Sequence, residues 1–338
     1  MRRDGERRDV RAGEPRSVVV TGASRGLGLA SAAWLHSNGW HVIGAMRVPD
    51  DGLERLRAAT GAAATDPRLT GVRLDLTDPV SIDDAIAEIL DRTTAPFGLV
   101  HNAGVVSVGC TEELPFPVFE RIFTTNVFGA ARLTAGLLPA MRAAGRGRVV
   151  AISSEGAVHG MPGIGAYSAS KAALECWAEA LSLEVSPFGI GVSILVAGTF
   201  DTDILDREHT VSYGDVEGPY RHLHEGQARM EARVKRLALP PERFGPAVGR
   251  ALDERAPFTR RAVGPDAVAM RVGRALLPVG LFQRVVARAL GIPRPGALRN
   301  DPIRLVTPGI GDGSGGRNEN EVRCSNDSPR RSTAPPDM

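Results

Sequence analysis

The sequence predicts a doubly wound α/β fold: a parallel sheet with helices on both faces. Three observations predict it. Short runs rich in Val and Ile alternate with helix-like segments between residues 17 and 196, the pattern of strands buried on both sides. The first run leads directly into a glycine-rich turn that opens a helix-like segment, as dinucleotide-binding sheets require. No repeat of about 20–50 residues is visible, which excludes a solenoid or a propeller.

The elements follow in order. "SVVVT" (17–21) is the first strand, and "TGASRGLG" (21–28) is the turn after it. "LGLASAAWLHSNG" has apolar residues at helical spacing and closes at Gly39, a C-cap. "HVIGAM" (41–46) is the second strand and "VRLDL" (72–76) the third. The next helix starts with Asp78 as its cap and Pro79 at its first position. "GLVHNAG" (98–104) is a fourth strand running into a loop, followed by a long helix over about 115–143. "GRVVAISS" (147–154) is the fifth strand, residues 166–186 form a helix, and "GIGVSILV" (189–196) is the sixth strand.

The rhythm stops over residues 199–240, where polar, glycine and helix-forming residues mix. A segment of that length without a clear element reads as a mobile lid with short helices. A Pro-opened helix over 240–256, an edge strand over 260–264 and amphipathic helices over 265–291, broken at Pro278, complete the pattern. Packing against the core is the first reading of those helices, membrane-surface association the lesser one. This gives a single domain over 17–294 with a lid and C-terminal helices. Residues 1–16 form a disordered basic arm, and residues 295–338 a disordered tail.

Bulk properties narrow the function. The chain has 338 residues, 41 of them basic and 39 acidic, for a net charge of +2, which makes no case for nucleic-acid binding. Three cysteines, Cys110, Cys176 and Cys324, show no paired spacing. Neither a disulfide framework nor a cysteine-based zinc site is expected, and the site is expected to hold no metal. A reducing, cytoplasmic setting follows. No apolar run reaches 18 residues, so no transmembrane helix is expected.

"YSASK" (167–171) sets Tyr167 and Lys171 one helical turn apart, on one face. The ammonium is expected to favour the phenolate and pull Tyr167 below its usual value of about 10. A tyrosine so tuned moves protons near neutral pH.

The glycine turn, "HNAG" (101–104), the serine pair 153–154 and "YSASK" stand in one order along residues 17–202, and together they resemble the short-chain dehydrogenase/reductase family. The resemblance implies a Rossmann fold and an oxidoreductase acting on CH–OH groups. It implies Tyr167 as catalytic acid/base and Lys171 as the lysine that tunes it and binds the nicotinamide ribose. It implies Ser154, 13 residues before Tyr167, as the hydroxyl that binds the substrate carbonyl, and Asn126 as the holder of a relay water. Ser153 reads as a structural hydroxyl. Gly22, Ser24, Arg25, Gly26, Leu27 and Gly28 correspond to the loop around the cofactor pyrophosphate and adenosine ribose. Asp75, with Leu76, corresponds to the adenine site, and Asn102, Ala103 and Gly104 to the cofactor-lining end of the fourth strand. His101 stands where the family usually has Asn. Gly198 and Thr202 fit the nicotinamide loop, in which Ala197 replaces the usual Pro.

The second strand ends in "AMRVPD", with Arg47 where NAD-preferring members of the resembled family carry an acid. Arg47 and Arg25 suit a 2′-phosphate, so NADP(H) is expected, with NAD(H) as the alternative. The substrate is expected to be a hydrophobic ketone, aldehyde or alcohol. Residues 104–112, the loop 155–166 and the lid are expected to hold it, with Ile204, Leu205, Tyr213, Tyr220 and Met230 as the lid's apolar contacts. Cys110 is expected in the pocket, Cys176 in the core or an interface. His159 is read equally as a substrate contact and as a loop histidine, and Glu155 as a charge near the reaction centre that faces away. Two other readings stand beside this one. An extended member acting on sugar nucleotides would show TG-x-x-G-x-x-G, unlike the TG-x-x-x-G-x-G present. A cofactor-binding sensor without turnover usually lacks the Tyr or the Lys. The resemblance also implies a homodimer or homotetramer through helices at 115–143 and 166–186.

Overall fold

The computed structural model describes residues 16–202, 211–215 and 217–297. The arm over 1–15, the tail from 298, and Ile204 and Leu205 of the expected lid lie outside the described residues. Arg16, assigned to the arm, is docked: its guanidinium lies 4.0 Å from the centre of the Trp40 ring and pairs with Asp253 at 2.7 Å.

Seven strands form one sheet in the order β3-β2-β1-β4-β5-β6-β7, every pairing parallel. They are β1 (Ser17–Thr21), β2 (His41–Met46), β3 (Leu69–Arg73), β4 (Gly98–His101), β5 (Gly147–Ser154), β6 (Ile190–Ala197) and β7 (Phe258–Val263). β1, β4 and β6 are buried along their whole length, which is why they read as unbroken apolar runs. β7, one of the two edge strands, is only partly buried. β3 begins three residues before the expected start and ends at Arg73, so Asp75 and Leu76 lie in the loop beyond it.

Helices cover both faces. α1 (Gly26–Ser37) and α2 (Pro49–Thr60) lie on one face with α9 (Gly245–Leu252), packing Leu35, Leu56, Phe244 and Val248 against Val18, Val20 and Val42. On the other face lie α3 (Pro79–Arg92), α5 (Gly129–Ala144) and α7 (Gly165–Val185), whose Ile82, Leu133, Leu137 and Leu174 meet Val19, Leu99, Val149 and Val192. The Asp78 cap is present: its carboxylate accepts from the Val80 N–H at 3.0 Å, and Pro79 opens α3. α2 is an element the sequence reading did not place. The long helix expected over 115–143 is α4 (Phe116–Phe123) and α5 joined by a π-helical turn, Thr124–Phe128. α6 (Glu155–Val158) is one turn after β5. α8 (Arg221–Leu237) lies within the expected lid, and α10 (Pro265–Leu276) and α11 (Val279–Ala289) divide at Pro278. No helix among the described residues is long and apolar enough to cross a membrane.

The strand order turns outward in both directions from the β1–β4 pair. That reversal opens a crevice at the carboxyl ends of the strands, where such sheets bind ligands.

Candidate active site

The crevice is a cavity of about 1090 Å³. Its first wall is the turn after β1. Gly22 and Gly26 take φ of 67° and 53°, conformations that suit glycine. A Cβ at Gly28 would overlap the Gly22 carbonyl oxygen and crowd the Asn102 amide. The turn is therefore wound tightly on the end of β4. Thr21 Oγ1 accepts from the Asn102 and Ala103 N–H groups at 3.0 Å each, and Asn102 Nδ2 donates to the Thr21 carbonyl at 3.0 Å. Arg25 is the N-cap of α1 but makes no side-chain cap bond, and no acid stands in the first turn. The helix thus presents its N–H groups and positive dipole end to the cavity, a setting for an anionic group.

Gly22, Ser24, Arg25, Gly26 and Leu27 line the cavity, as do Arg47, Asp75 and Leu76, and Asn102, Ala103 and Gly104. Gly198 and Thr202 line it from beyond β6, and Ser154, Tyr167 and Lys171 from β5 and α7. Two expected residues stand behind the wall. Gly28 is buried under the turn, and Asn126 is 1% exposed beneath Val105. The Asn126 Oδ1 accepts from the Val105 N–H at 2.8 Å, and its amide donates to the Val105 carbonyl at 3.0 Å and to Ser170 Oγ at 2.9 Å. The π turn places this side chain between the β4 loop and α7.

The Tyr167–Lys171 pair departs from expectation. Lys171 Nζ lies 5.9 Å from the centre of the Tyr167 ring and donates to the Ile152 carbonyl at 2.8 Å. Burial pushes Tyr167 above its usual value; the Ser154 hydrogen bond opposes this and the Glu155 charge adds to it. The expected depression by the lysine is therefore corrected: desolvation wins. Burial also lowers Lys171 to about 8, against the opposing charge of Glu175. Asp75 is driven up by burial, but hydrogen bonds from Thr77 and the charges of Arg47 and Arg73 leave it below its usual value.

Buried polar contacts fix the carrier helix. Ser153 Oγ donates to Glu175 Oε1 at 2.5 Å, and Arg260 of β7 pairs with Glu175 at 3.1 Å and with Glu179. Ser153 is thus structural, as expected. His101 is buried beside Thr134, its Nε2 2.6 Å from Thr134 Oγ1, and burial lowers it to about 3. It stays neutral there.

Other side chains moved from their expected places. Glu155, expected to face away, lines the cavity. Burial and the neighbouring Asp266 charge raise it to about 7. Its folded value lies above the unfolded one, so ionising it costs stability. The cost is absent below about pH 4.5, grows as pH rises, and is complete above about pH 7. Glu155→Gln is expected to stabilise the fold at pH 8 by about 1–3 kcal/mol, with no gain at pH 4. Paired thermal melts at the two pH values check it, and an equal gain at both would refute it. His159 does not line the cavity; its ring meets Phe282 of α11 edge-on at 5.0 Å. Cys110 is buried outside the cavity wall and Cys176 is exposed on α7. Of the expected lid contacts, Met230 lines the cavity, while Tyr220 donates to Glu112 and Tyr213 lies outside the wall.

Sequence reasoning named Met230 of the α8 wall but not its polar residues. Arg221, His224, Glu225 and Gln227 line the cavity, and Gln227 Nε2 donates to the Pro162 carbonyl at 2.7 Å, tying α8 to the loop before α7. Leu290, after α11, also reaches the cavity. The polar periodicity of 221–237 was the available signal.

A model of the short chain dehydrogenase family matches residues 16–211. The chain is 35% identical over 273 residues to the uncharacterized oxidoreductase YbbO of Escherichia coli (strain K12), covering 80% of this chain and 94% of that one. It is 30% identical over 252 residues to 3-ketodihydrosphingosine reductase of Bacteroides thetaiotaomicron, covering 75% and 89%. The crystal structure of a short-chain dehydrogenase from Streptomyces avermitilis superposes with a TM-score of 0.68 at 36% identity, covering 82% of this chain and 95% of that one.

Proposed function

The chain belongs to the short-chain dehydrogenase family, and on that premise we propose that it is an NADP(H)-dependent oxidoreductase interconverting a ketone or aldehyde and an alcohol on a hydrophobic substrate. The observation that carries this reading is the convergence of Ser154, Tyr167 and Lys171 in the cavity that also holds the glycine turn. The turn fits a dinucleotide: Gly28 lets it wind tightly against Gly22 and Asn102, and the α1 N-terminus, free of any side-chain cap, faces the cavity. NADP(H), when bound, supplies or takes up the two-electron reducing equivalent.

In this reading the Tyr167 hydroxyl gives its proton to the oxygen of the substrate as it becomes an alkoxide, and takes the proton back in alcohol oxidation. Burial keeps Tyr167 protonated through neutral pH, which suits the reducing direction. The Ser154 hydroxyl, already bonded to Tyr167, shares the substrate oxygen and stabilises charge there. Lys171 is mostly protonated at pH 7 and holds positive charge near the ring. Both amide hydrogens of Asn126 are taken, so it acts by positioning: through Ser170, which donates to the Tyr167 carbonyl at 2.7 Å, it fixes the first turn of α7. Arg25 and Arg47 supply the cations for a 2′-phosphate.

Val106, Val108, Met161, Ile164, Met230 and Leu290 line the substrate side, which supports an apolar substrate. A relative named for reducing 3-ketodihydrosphingosine supports a ketone. The test is NADPH oxidation against ketones graded from small to steroid-sized, with NADH in parallel. Turnover with NADPH on bulky apolar ketones is expected. Cofactor binding without turnover on any of them would favour a sensor instead.

A further inference from the structure

One buried cluster has no part in the chemistry above. Cys110, Glu113 and His224 bring a sulfur, a carboxylate oxygen and an imidazole nitrogen within 4.8 Å of one another. Cys110 is 6% and Glu113 5% exposed, and the His224 side chain is 12% exposed. We propose that these three residues form a zinc-type metal site that ties α8 to the turn at 110–114 beside the cavity.

The donor set favours this. Sulfur, nitrogen and oxygen donors suit zinc, whereas calcium and magnesium take oxygen. Zinc–ligand lengths of about 2.0–2.3 Å place tetrahedral donors roughly 3.3–3.6 Å apart. The His224–Glu113 pair stands at 2.9 Å, and all three donor atoms lie within 4.8 Å of one another. The charges also balance: one thiolate and one carboxylate neutralise a divalent ion, so the buried assembly carries no net charge. An unbalanced charge there would be costly.

The ligands are held before any ion arrives. Glu113 Oε2 accepts from the Cys110 N–H at 3.0 Å, and Oε1 from the Asp215 N–H at 3.2 Å. Such outer hydrogen bonds orient metal ligands. The His224 ring packs on Gly214, where a Cβ would lie 2.5 Å from its Cε1, so only glycine leaves the ring this position. Tyr220 bonds to Glu112 at 2.6 Å and joins the same two segments in parallel. A buried histidine–glutamate pair needs no thiol, yet the thiol is here, hydrogen-bonded to Glu113.

Binding balances simply. The Cys110 thiol loses its proton to solvent and the sulfur bonds the ion. Glu113 contributes one carboxylate oxygen. His224 binds through Nε2, with its ring hydrogen on Nδ1. One proton leaves per ion, no redox change occurs, and one of the four tetrahedral positions remains for water.

The test uses full-length, tag-free protein, treated with a chelator, reduced, and titrated with Co²⁺. One equivalent is expected to bind with a thiolate-to-cobalt charge-transfer band, and Zn²⁺ is expected to displace it. Cys110→Ser is expected to abolish the band and weaken binding by more than about 10-fold. The double variant Cys176→Ser/Cys324→Ser is expected to keep both. Gly214→Ala, which displaces the His224 ring while keeping every ligand, is expected to weaken binding as well. Circular dichroism confirms the fold of each variant. Parent protein that is folded yet shows no band overturns the proposal, as does a band that survives Cys110→Ser. This outcome is independent of NADPH turnover.

Discussion

Tyr167→Phe is expected to lower turnover by about 10²–10⁴-fold, the usual worth of a positioned acid/base, while cofactor affinity stays within a few-fold. The substitution keeps the ring and its packing and removes one hydroxyl. The supports of its surroundings do not depend on that hydroxyl. Lys171 remains bonded to the Ile152 carbonyl, and Ser154 still accepts from the Gly156 N–H at 3.2 Å as the cap of α6. The Ser153–Glu175–Arg260 contacts that seat α7 are untouched. The measurement is kcat on the best ketone of the panel, beside Kd for NADPH by titration calorimetry. A variant that keeps more than a tenth of the parent kcat would show that another group moves the proton. A loss of cofactor binding along with turnover would show that the hydroxyl serves the nucleotide rather than the reaction.

What was legible in the sequence follows from which interactions are local. Strands buried on both faces are continuous Val and Ile runs, and these appear at 17–21 and 147–154 without reference to the rest of the chain. The Asp78–Pro79 start of α3 is a contact across two residues. The same logic explains the omissions. α2 opens with Pro49, Asp50 and Asp51 and fully buries only Gly52 and Leu56, so its apolar stripe is too thin to show as a period. The π turn depends on Asn126 reaching Val105, 21 residues away. Desolvation of Tyr167 is set by the surrounding walls, so helical spacing to Lys171 gave the wrong direction for its shift. Cys110 and Glu113 meet His224 only because α8 folds back over the cavity, and no sequence spacing encodes that approach.

Cofactor choice gives the second large effect. Arg47→Asp is expected to shift the NADPH-to-NADH ratio of kcat/KM by about 10–150-fold toward NADH, the worth of one charge-assisted hydrogen bond at about 1.5–3 kcal/mol. The end of β2 sets this preference. Met46 is buried there, Arg47 follows exposed, and Arg47 and Arg25 both line the cavity. The residue that follows β2 is Arg47 rather than an acid that would accept from a ribose diol. Asp50 and Asp51 stand in the first turn of α2 and are exposed, outside the cavity wall. An aspartate at 47 removes a cation that a 2′-phosphate would use and adds an acceptor for a diol, so both changes act in one direction. It also removes one of the charges that help lower Asp75, a change that acts on both nucleotides alike and cancels from the ratio. The ratio, measured at constant ionic strength, is therefore the right readout, and KM alone is not. A parent enzyme that already prefers NADH would sink the assignment of Arg47. An unchanged ratio in Arg47→Asp that shifts only on adding Arg25→Ala would move the phosphate contact to the turn after β1.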